Sequence, residues 1–415
     1  MSMITSHLLK LYRLTFELTA LVVYHIPRWF LSGVQILLYE DKKGNWTFGR
    51  HLRVQVLRHS VLTLAPYRGV IPRPLYPDHT AVQGPGGIWI PAVPEELVVG
   101  EISALARARN IKSISIPGYW IHKDSNLPFE SPPCPGEKVL YQLHGGGYVG
   151  ETAHPDGRPS RILKDFLENS SRPSLRRTFA VEYRLTRRRG PGEKPVAPFP
   201  TALIDVLAGY LYLIKLGFSE EAIIVVGDSA GGNLALALTR YLLSNKEEQP
   251  KLPKAPAALV LLSPFVDASP QFVDKPDPQS SPTINAERDW LQTIHIGPRR
   301  LNTEAFLGGR PEDVELAFRN PYVSPSSPTL LGLTPDSPTR TISFKGFPRT
   351  FVDNGSFDLL YDQILLLANA MVEDLGEDMV VYNETYGAPH DYSFLPWCDP
   401  DRTNTSKKIL EWLGL

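Results

Sequence analysis

The chain has 415 residues, 42% of them hydrophobic, with a formal net charge of −1 and a pI near 6.8. That length fits one large domain or two modest ones, and the near-neutral balance gives no reason to expect a nucleic-acid partner. Its two cysteines, Cys134 and Cys398, are too few for a metal motif or a disulfide framework, and the sequence leaves their pairing open.

Lys10, Arg13 and Glu17 are spaced three and four apart, which predicts one polar helical face. Leu18 to Tyr39 is then mostly apolar but is broken by His25, Pro27 and Arg28. A spanning helix needs about 20 mainly apolar residues, and a central arginine costs about 2.5–3.5 kcal/mol. The segment therefore reads as an apolar helical pair that lies on a membrane or covers a hydrophobic site, rather than as a span. No small-x-small site follows it, which counts against a signal peptide. Five N-x-S/T sequons, at Asn45, Asn169, Asn354, Asn383 and Asn404, tilt the location toward a lumenal membrane surface such as the endoplasmic reticulum, with cytoplasmic placement as the alternative.

"KVLYQLHGGGYVG" follows, with Val139–Leu143 predicted as a strand. Gly145, Gly147 and Gly150 match G-x-G-x-x-G, yet the turn-rich "ETAHPDGRPS" stands where a dinucleotide site needs a helix, so that reading is rejected. Glycine N–H groups can instead converge on an oxyanion, with His144 supporting the loop. Further on, "IIVVGDSAGGNLALALTRYLL" predicts a buried strand over Ile223–Val226, a G-x-S-x-G turn centred on Ser229, and a helix over Asn233–Leu243. A sharp strand-to-helix turn needs residues without Cβ on either side, and it exposes the central hydroxyl as a nucleophile. A glycine-rich loop with an incidental serine is the competing reading.

Thirteen prolines fall between Pro264 and Pro348, which predicts an irregular insertion. Thr350–Asn354 then reads as a strand end, Leu359–Leu375 as a helix and Met379–Tyr382 as a strand. Asp353 belongs on the strand and Asp362 on the helix. Asp358 lies in the loop between, where an acid can lean over the sheet edge; the competing role is a helix N-cap. His390 follows the last strand by a short loop. Ser229, Asp358 and His390 stand in the chain order of a hydrolase triad.

Taken together, "HGGGY", "EYRLT", "PFPTALIDV", "GDSAGGNLA", "SPFVD", "NPYVSP", the Asp358 loop and "HDY" resemble the hormone-sensitive-lipase-like branch of the α/β-hydrolase superfamily over residues 135 to 415. More narrowly, the long apolar N-terminus is similar to that of fungal steryl acetyl hydrolases. The resemblance implies an α/β-hydrolase fold, a mostly parallel sheet flanked by helices. It implies Ser229, Asp358 and His390 as the triad, and Gly146, Gly147 and Ala230 as oxyanion donors, with His144 and Gly145 supporting the loop. It also implies a cap built from residues 1–75 and from an insertion at about 268–347 of a catalytic domain spanning 76–415. "RRRGPGEKPVA" between Leu185 and Pro198 departs from the family pattern and touches only the rim.

The expected activity is serine carboxylic-ester hydrolysis of apolar, acetylated small molecules such as sterol or secondary-metabolite esters, through an acyl-enzyme. No cofactor or metal is expected. The expected partners are a small apolar ester and a membrane surface met by the N-terminus; the oligomeric state is left open. Two other readings share the scaffold: a non-hydrolytic biosynthetic enzyme performing acyl transfer, cyclisation or elimination, and a ligand-binding receptor. An intact triad disfavours the receptor.

Overall fold

A computed structural model describes residues 15–17, 19–35, 38, 46–63, 80–82, 84, 86–124, 127–187, 194–269, 277–291, 298–310 and 313–415. The expected polar face at Lys10 and Arg13, the sequon at Asn45 and residues 64–79 lie outside them. Among the described residues eight strands form one sheet: β1 (Gly87–Ile90), β2 (Ile116–His122), β3 (Lys138–Leu143), β4 (Leu175–Val181), β5 (Ile223–Asp228), β6 (Ala258–Leu262), β7 (Arg349–Gly355) and β8 (Val380–Thr385). Their order is β1-β2-β4-β3-β5-β6-β7-β8. β3 to β8 run parallel, while β2 is antiparallel to both β1 and β4.

The helices are α1 (Ile26–Gln35), α2 (Phe48–Thr63), α3 (Gly100–Ala108), α4 (Ser160–Asn169), α5 (Thr201–Leu216), α6 (Ala230–Asn245), α7 (Ser281–Ile284), α8 (Pro298–Leu307), α9 (Val314–Arg319), α10 (Tyr361–Leu375) and α11 (Asp401–Leu413). A parallel strand covered by helices on both faces must be apolar on both, which is why the first four residues of β5 and all of β6 read as unbroken hydrophobic runs. Val225 and Leu259 join a core with α5, α6 and α10, whereas Ile224 and Val260 join a second core with α4 and α11.

From β3 the chain crosses one way to β4 and then the other way to β5. Ligands collect at such a reversal, beyond the carboxyl ends of the strands. The register is level there: Leu143 pairs with Gly227, Asp228 with Leu262 and Leu262 with Asp353. His144, Ser229, Ser263 and the residues after Gly355 therefore leave the sheet along one edge.

The proline-rich connection between β6 and β7 is less irregular than its composition predicts, because it contains α7, α8 and α9. The basic insertion after Leu185 is closed at its base by paired backbone hydrogen bonds between Arg187 and Val196 (3.0 and 2.9 Å). Cys134 and Cys398 are both free. Asn354 is fully buried, so it is no accessible glycosylation acceptor.

The N-terminal helices divide the expected apolar load. α2 packs on the loops that follow β7 and β8: Trp46 and Val54 form a small core with Phe357, backed by Trp290 and Tyr386. Arg50 bonds Asp401 at 2.8 Å and the Gly387 carbonyl at 3.4 Å, and Gln55 and Arg58 bond the carbonyls of Glu287 and Ala286. α1 packs on α2 through Trp29 and Gly33. Its opposite face leaves Ile26, Phe30 and Leu31 exposed. Among the described residues no helix is long and apolar enough to cross a membrane.

Candidate active site

The turn between β5 and α6 is pinched between backbones. A Cβ on Gly227 would lie 2.6 Å from the Gly232 nitrogen, and one on Gly231 would lie 2.6 Å from the Leu143 carbonyl carbon and 2.8 Å from the His144 oxygen. None of these main-chain atoms can yield cheaply. Gly231→Ala is thus expected to lower the urea midpoint sharply or to abolish soluble protein. Gly414→Ala, with open space around the Cβ and only a left-handed φ of 72° against it, should cost about 1–2 kcal/mol. Equal midpoints for the two variants would remove the steric account of the turn.

Ser229 sits at φ 49°, ψ −115°, immediately before α6. This is a costly conformation for a residue with a side chain, worth about 1–3 kcal/mol of strain. It is held by the Ser229 N–H on the Leu262 carbonyl (2.9 Å) and by the Phe265 N–H on the Ser229 carbonyl (2.9 Å). The Ser229 Oγ is 3.0 Å from His390 Nε2. On the other side of the ring, His390 Nδ1 lies 3.0 and 3.2 Å from the two Asp358 oxygens. All three side chains are nearly sealed from solvent, with Ser229 the most open at 8%.

The three competing acids separate cleanly. Asp353 stays on β7 and accepts bonds from Asn383 Nδ2 (2.7 Å) and Tyr392 Oη (2.9 Å); burial pushes it up to about 7. Asp362, on α10, accepts the Ser281 N–H at 2.7 Å. Asp358 alone meets the imidazole, and it also accepts the Leu360 N–H at 2.8 Å. The capping role and the histidine contact are therefore both present in one residue.

The HGGGY loop is braced rather than free. The Gly145 N–H donates to Asp228 Oδ2 (2.9 Å), tying the loop to the turn between β5 and α6. The Tyr183 hydroxyl donates to the carbonyls of His144 and Gly145 (2.7 and 3.2 Å). His144 stacks on Tyr183 with ring centroids 4.2 Å apart. Burial lowers the His144 imidazole to about 4, despite its contact with the Gly145 carbonyl, so it is a neutral supporting group. Gly146 and Gly147 take φ values of 97° and 61°. Among the described residues their N–H groups have no acceptor, and neither does that of Ala230 at the start of α6.

Several motifs prove to be braces on one another. Arg184 clasps Asp205 through two nitrogens at 2.7 to 3.2 Å, and Glu182 accepts from Thr152 and Ala153. Asn233 accepts the Tyr148 hydroxyl and donates to the Val323 carbonyl. These bonds join "EYRLT", "PFPTALIDV", "GDSAGGNLA" and "NPYVSP" around the serine.

Three residues beside the imidazole are absent from the sequence reading. Asp289, fully buried in the β6–β7 connection, accepts the N–H of Leu359 (2.7 Å), Leu291 (3.1 Å) and His390 (3.2 Å). Burial and the charge of Asp358 push Asp289 up to about 7. Trp290 donates its Nε1–H to the His390 carbonyl at 2.7 Å. Asp391 brings Oδ2 to 3.2 Å from His390 Nε2. No spacing signal marks the first two, since they arrive from a proline-rich segment; Asp391 was visible only as the neighbour of His390. Burial alone would lower the His390 imidazole, but the carboxylates of Asp358 and Asp391 outweigh it and carry it well above the ordinary value. No group of three or more metal-ligating side chains occurs among the described residues.

A family model described as the alpha/beta hydrolase fold matches residues 140–394. Esterase LipU of Mycobacterium tuberculosis is 28% identical over 283 residues, covering 66% of this chain and 76% of its own. The carboxylesterase/phospholipase LipF of the same organism is 31% identical over 185 residues, 43% of this chain and 42% of its own. A hormone-sensitive lipase structure from a metagenome library superposes with a TM-score of 0.54 at 22% identity, covering 88% of this chain and 98% of that one.

Proposed function

The chain belongs to the alpha/beta hydrolase fold family, in its hormone-sensitive-lipase-like branch, and is a carboxylesterase- or lipase-like serine hydrolase; on that premise we propose that it hydrolyses apolar, acetylated small-molecule esters through Ser229, His390 and Asp358. The observation that supports this most is the continuous hydrogen-bonded line from Ser229 Oγ through the imidazole to the buried Asp358.

In the proposed reaction His390 Nε2 takes the hydroxyl proton as Ser229 Oγ attacks the ester carbonyl. Asp358 on Nδ1 fixes the ring and stabilises the imidazolium. The free N–H groups of Gly146, Gly147 and Ala230 receive the oxyanion, with the loop held rigid by Asp228, Tyr183 and His144. His390 returns the proton to the leaving alcohol, then activates water against the acyl-enzyme. The residues supply the whole sequence without a cofactor.

An apolar alcohol portion suits the aromatic surroundings, with Trp290 against His390 and Phe306 stacked on Tyr148 at 3.9 Å. The test is fluorophosphonate labelling together with turnover of p-nitrophenyl esters from acetate to decanoate. Labelling with turnover greatest on the short esters is the expected result. Labelling without hydrolysis of any ester would favour the non-hydrolytic reading.

Contact of the N-terminus with a membrane surface belongs to the same proposal. The outward face of α1 exposes Ile26, Phe30 at 54% and Leu31 at 69%, with Val23 at 71% in the helical turn before it. Such a face loses about 25 cal/mol for every Å² of apolar surface left in water. Val23→Glu with Leu31→Glu should abolish cosedimentation with phosphatidylcholine vesicles and leave p-nitrophenyl acetate turnover unchanged. A wild-type protein that stays in the supernatant would end this part of the proposal.

A further inference from the structure

We propose that Asp391 holds the His390 imidazole in its doubly protonated form and so sets the pH above which the enzyme works. This rests on the serine-hydrolase reading of Ser229 and His390.

The two ring nitrogens meet different demands. A carboxylate at Nδ1, such as Asp358, favours a proton there in both the neutral and the charged ring. A carboxylate at Nε2 is compatible only with a proton on Nε2. In the neutral tautomer needed for catalysis, Nε2 carries a lone pair for the serine proton, and that lone pair repels an anionic neighbour. Asp391 Oδ2 is 3.2 Å from Nε2, the same nitrogen that lies 3.0 Å from Ser229 Oγ. With Asp358 at 3.0 Å from Nδ1, a carboxylate stands beside each nitrogen, and the imidazolium is the state they jointly favour.

The contact is built rather than incidental. Asp391 is 3% exposed and sits at φ 51°, ψ 35°, a left-handed conformation that aspartate tolerates better than most residues. Its N–H is held by Ser263 Oγ at 3.1 Å, and Ser263 itself has a φ of 43°.

The surrounding charges work in the same direction. Asp358 faces the ring from the loop after β7 and Asp289 from the β6–β7 connection. Asp228 at the end of β5 and Glu151 in the loop after β3 face Asp391. Among the described residues no lysine or arginine forms an ion pair with Asp358 or Asp391, so the imidazolium is the cation these two share. Burial raises Asp391, and the charged ring offsets only part of that rise. The two groups therefore titrate as a pair.

The consequence is a sign and a size. The acid limb of kcat/KM reports the free enzyme's base. An extra anion at Nε2 moves that limb to higher pH, and its removal must move it to lower pH. The experiment measures fluorophosphonate inactivation rates and kcat/KM on p-nitrophenyl acetate across pH for wild type, Asp391→Asn and Asp391→Gly. Both replacements tolerate the left-handed backbone. The limb should fall by about 1–3 pH units in each variant, a displacement that loss of packing alone does not produce. Its position is read from the shape of the profile, so a lower maximal rate does not obscure it, and if one variant fails to fold the other decides. A reactive wild type whose limb stays put in the folded variants overturns the role of Asp391. A wild type inert to fluorophosphonate overturns the underlying serine-hydrolase reading instead.

Discussion

Ser229→Ala is expected to abolish fluorophosphonate labelling and to lower ester turnover by about 10⁴–10⁶, leaving only what binding and the oxyanion donors supply. The turn is held by main-chain bonds, from the Ser229 N–H to Leu262 and from Phe265 to the Ser229 carbonyl. None of these involves the hydroxyl, so the variant should keep its melting temperature within a few degrees. The serine most able to mislead this experiment is Ser263, at the end of the adjacent strand and also at a positive φ. Its Oγ, however, accepts the Asp391 N–H rather than meeting an imidazole nitrogen. Persistent labelling in Ser229→Ala, lost in Ser263→Ala, would show that the wrong strand end had been chosen.

The three residues proposed as a triad were legible because each stands at a junction of local patterns. A β-branched run, two glycines and an alanine-leucine run mark where Ser229 lies, and the helix proves longer than predicted because Ala230 and the glycines join it at one end and Ser244 and Asn245 at the other. The same logic separated Asp358 from Asp353 and Asp362, since strand, loop and helix follow one another within ten residues of sequence. The antiparallel pair β1 and β2 escaped notice: β1 is only four residues long, and nothing in its composition names its neighbour. Asp289 and Trp290 were illegible for a related reason. Their roles depend on where a long, proline-rich connection returns to the sheet edge, and that return is a tertiary event with no period of its own. Asp391 lay in plain view beside His390, but a side chain's direction at a left-handed residue cannot be read from a string of letters. The braces between motifs, such as Arg184 with Asp205, explain why stretches far apart in sequence signal one site: each holds the backbone that another presents.

Asp358→Asn should slow turnover by about 10³–10⁴ without unfolding the protein. Both Asp358 oxygens lie within hydrogen-bond reach of His390 Nδ1, and one also accepts the Leu360 N–H. An asparagine can keep one of these acceptors, but its amide nitrogen must then face a donor. The least costly escape is for the imidazole to move its proton to Nε2, which turns a lone pair toward the amide and leaves Ser229 without a base. Asp353→Asn and Asp362→Asn carry no such penalty, because their partners are Asn383, Tyr392 and a main-chain N–H rather than the ring; about tenfold or less is expected for each. Asp289→Asn is the sharper control. It removes a buried carboxylate from three N–H donors, including that of His390 itself, yet never touches the imidazole nitrogens. It should therefore lower stability more than Asp358→Asn does while slowing turnover less. Parallel urea titrations and kcat measurements on the four variants give the comparison. A mild Asp358→Asn beside a crippled, well-folded Asp289→Asn or Asp353→Asn would move the orienting carboxylate to that other residue.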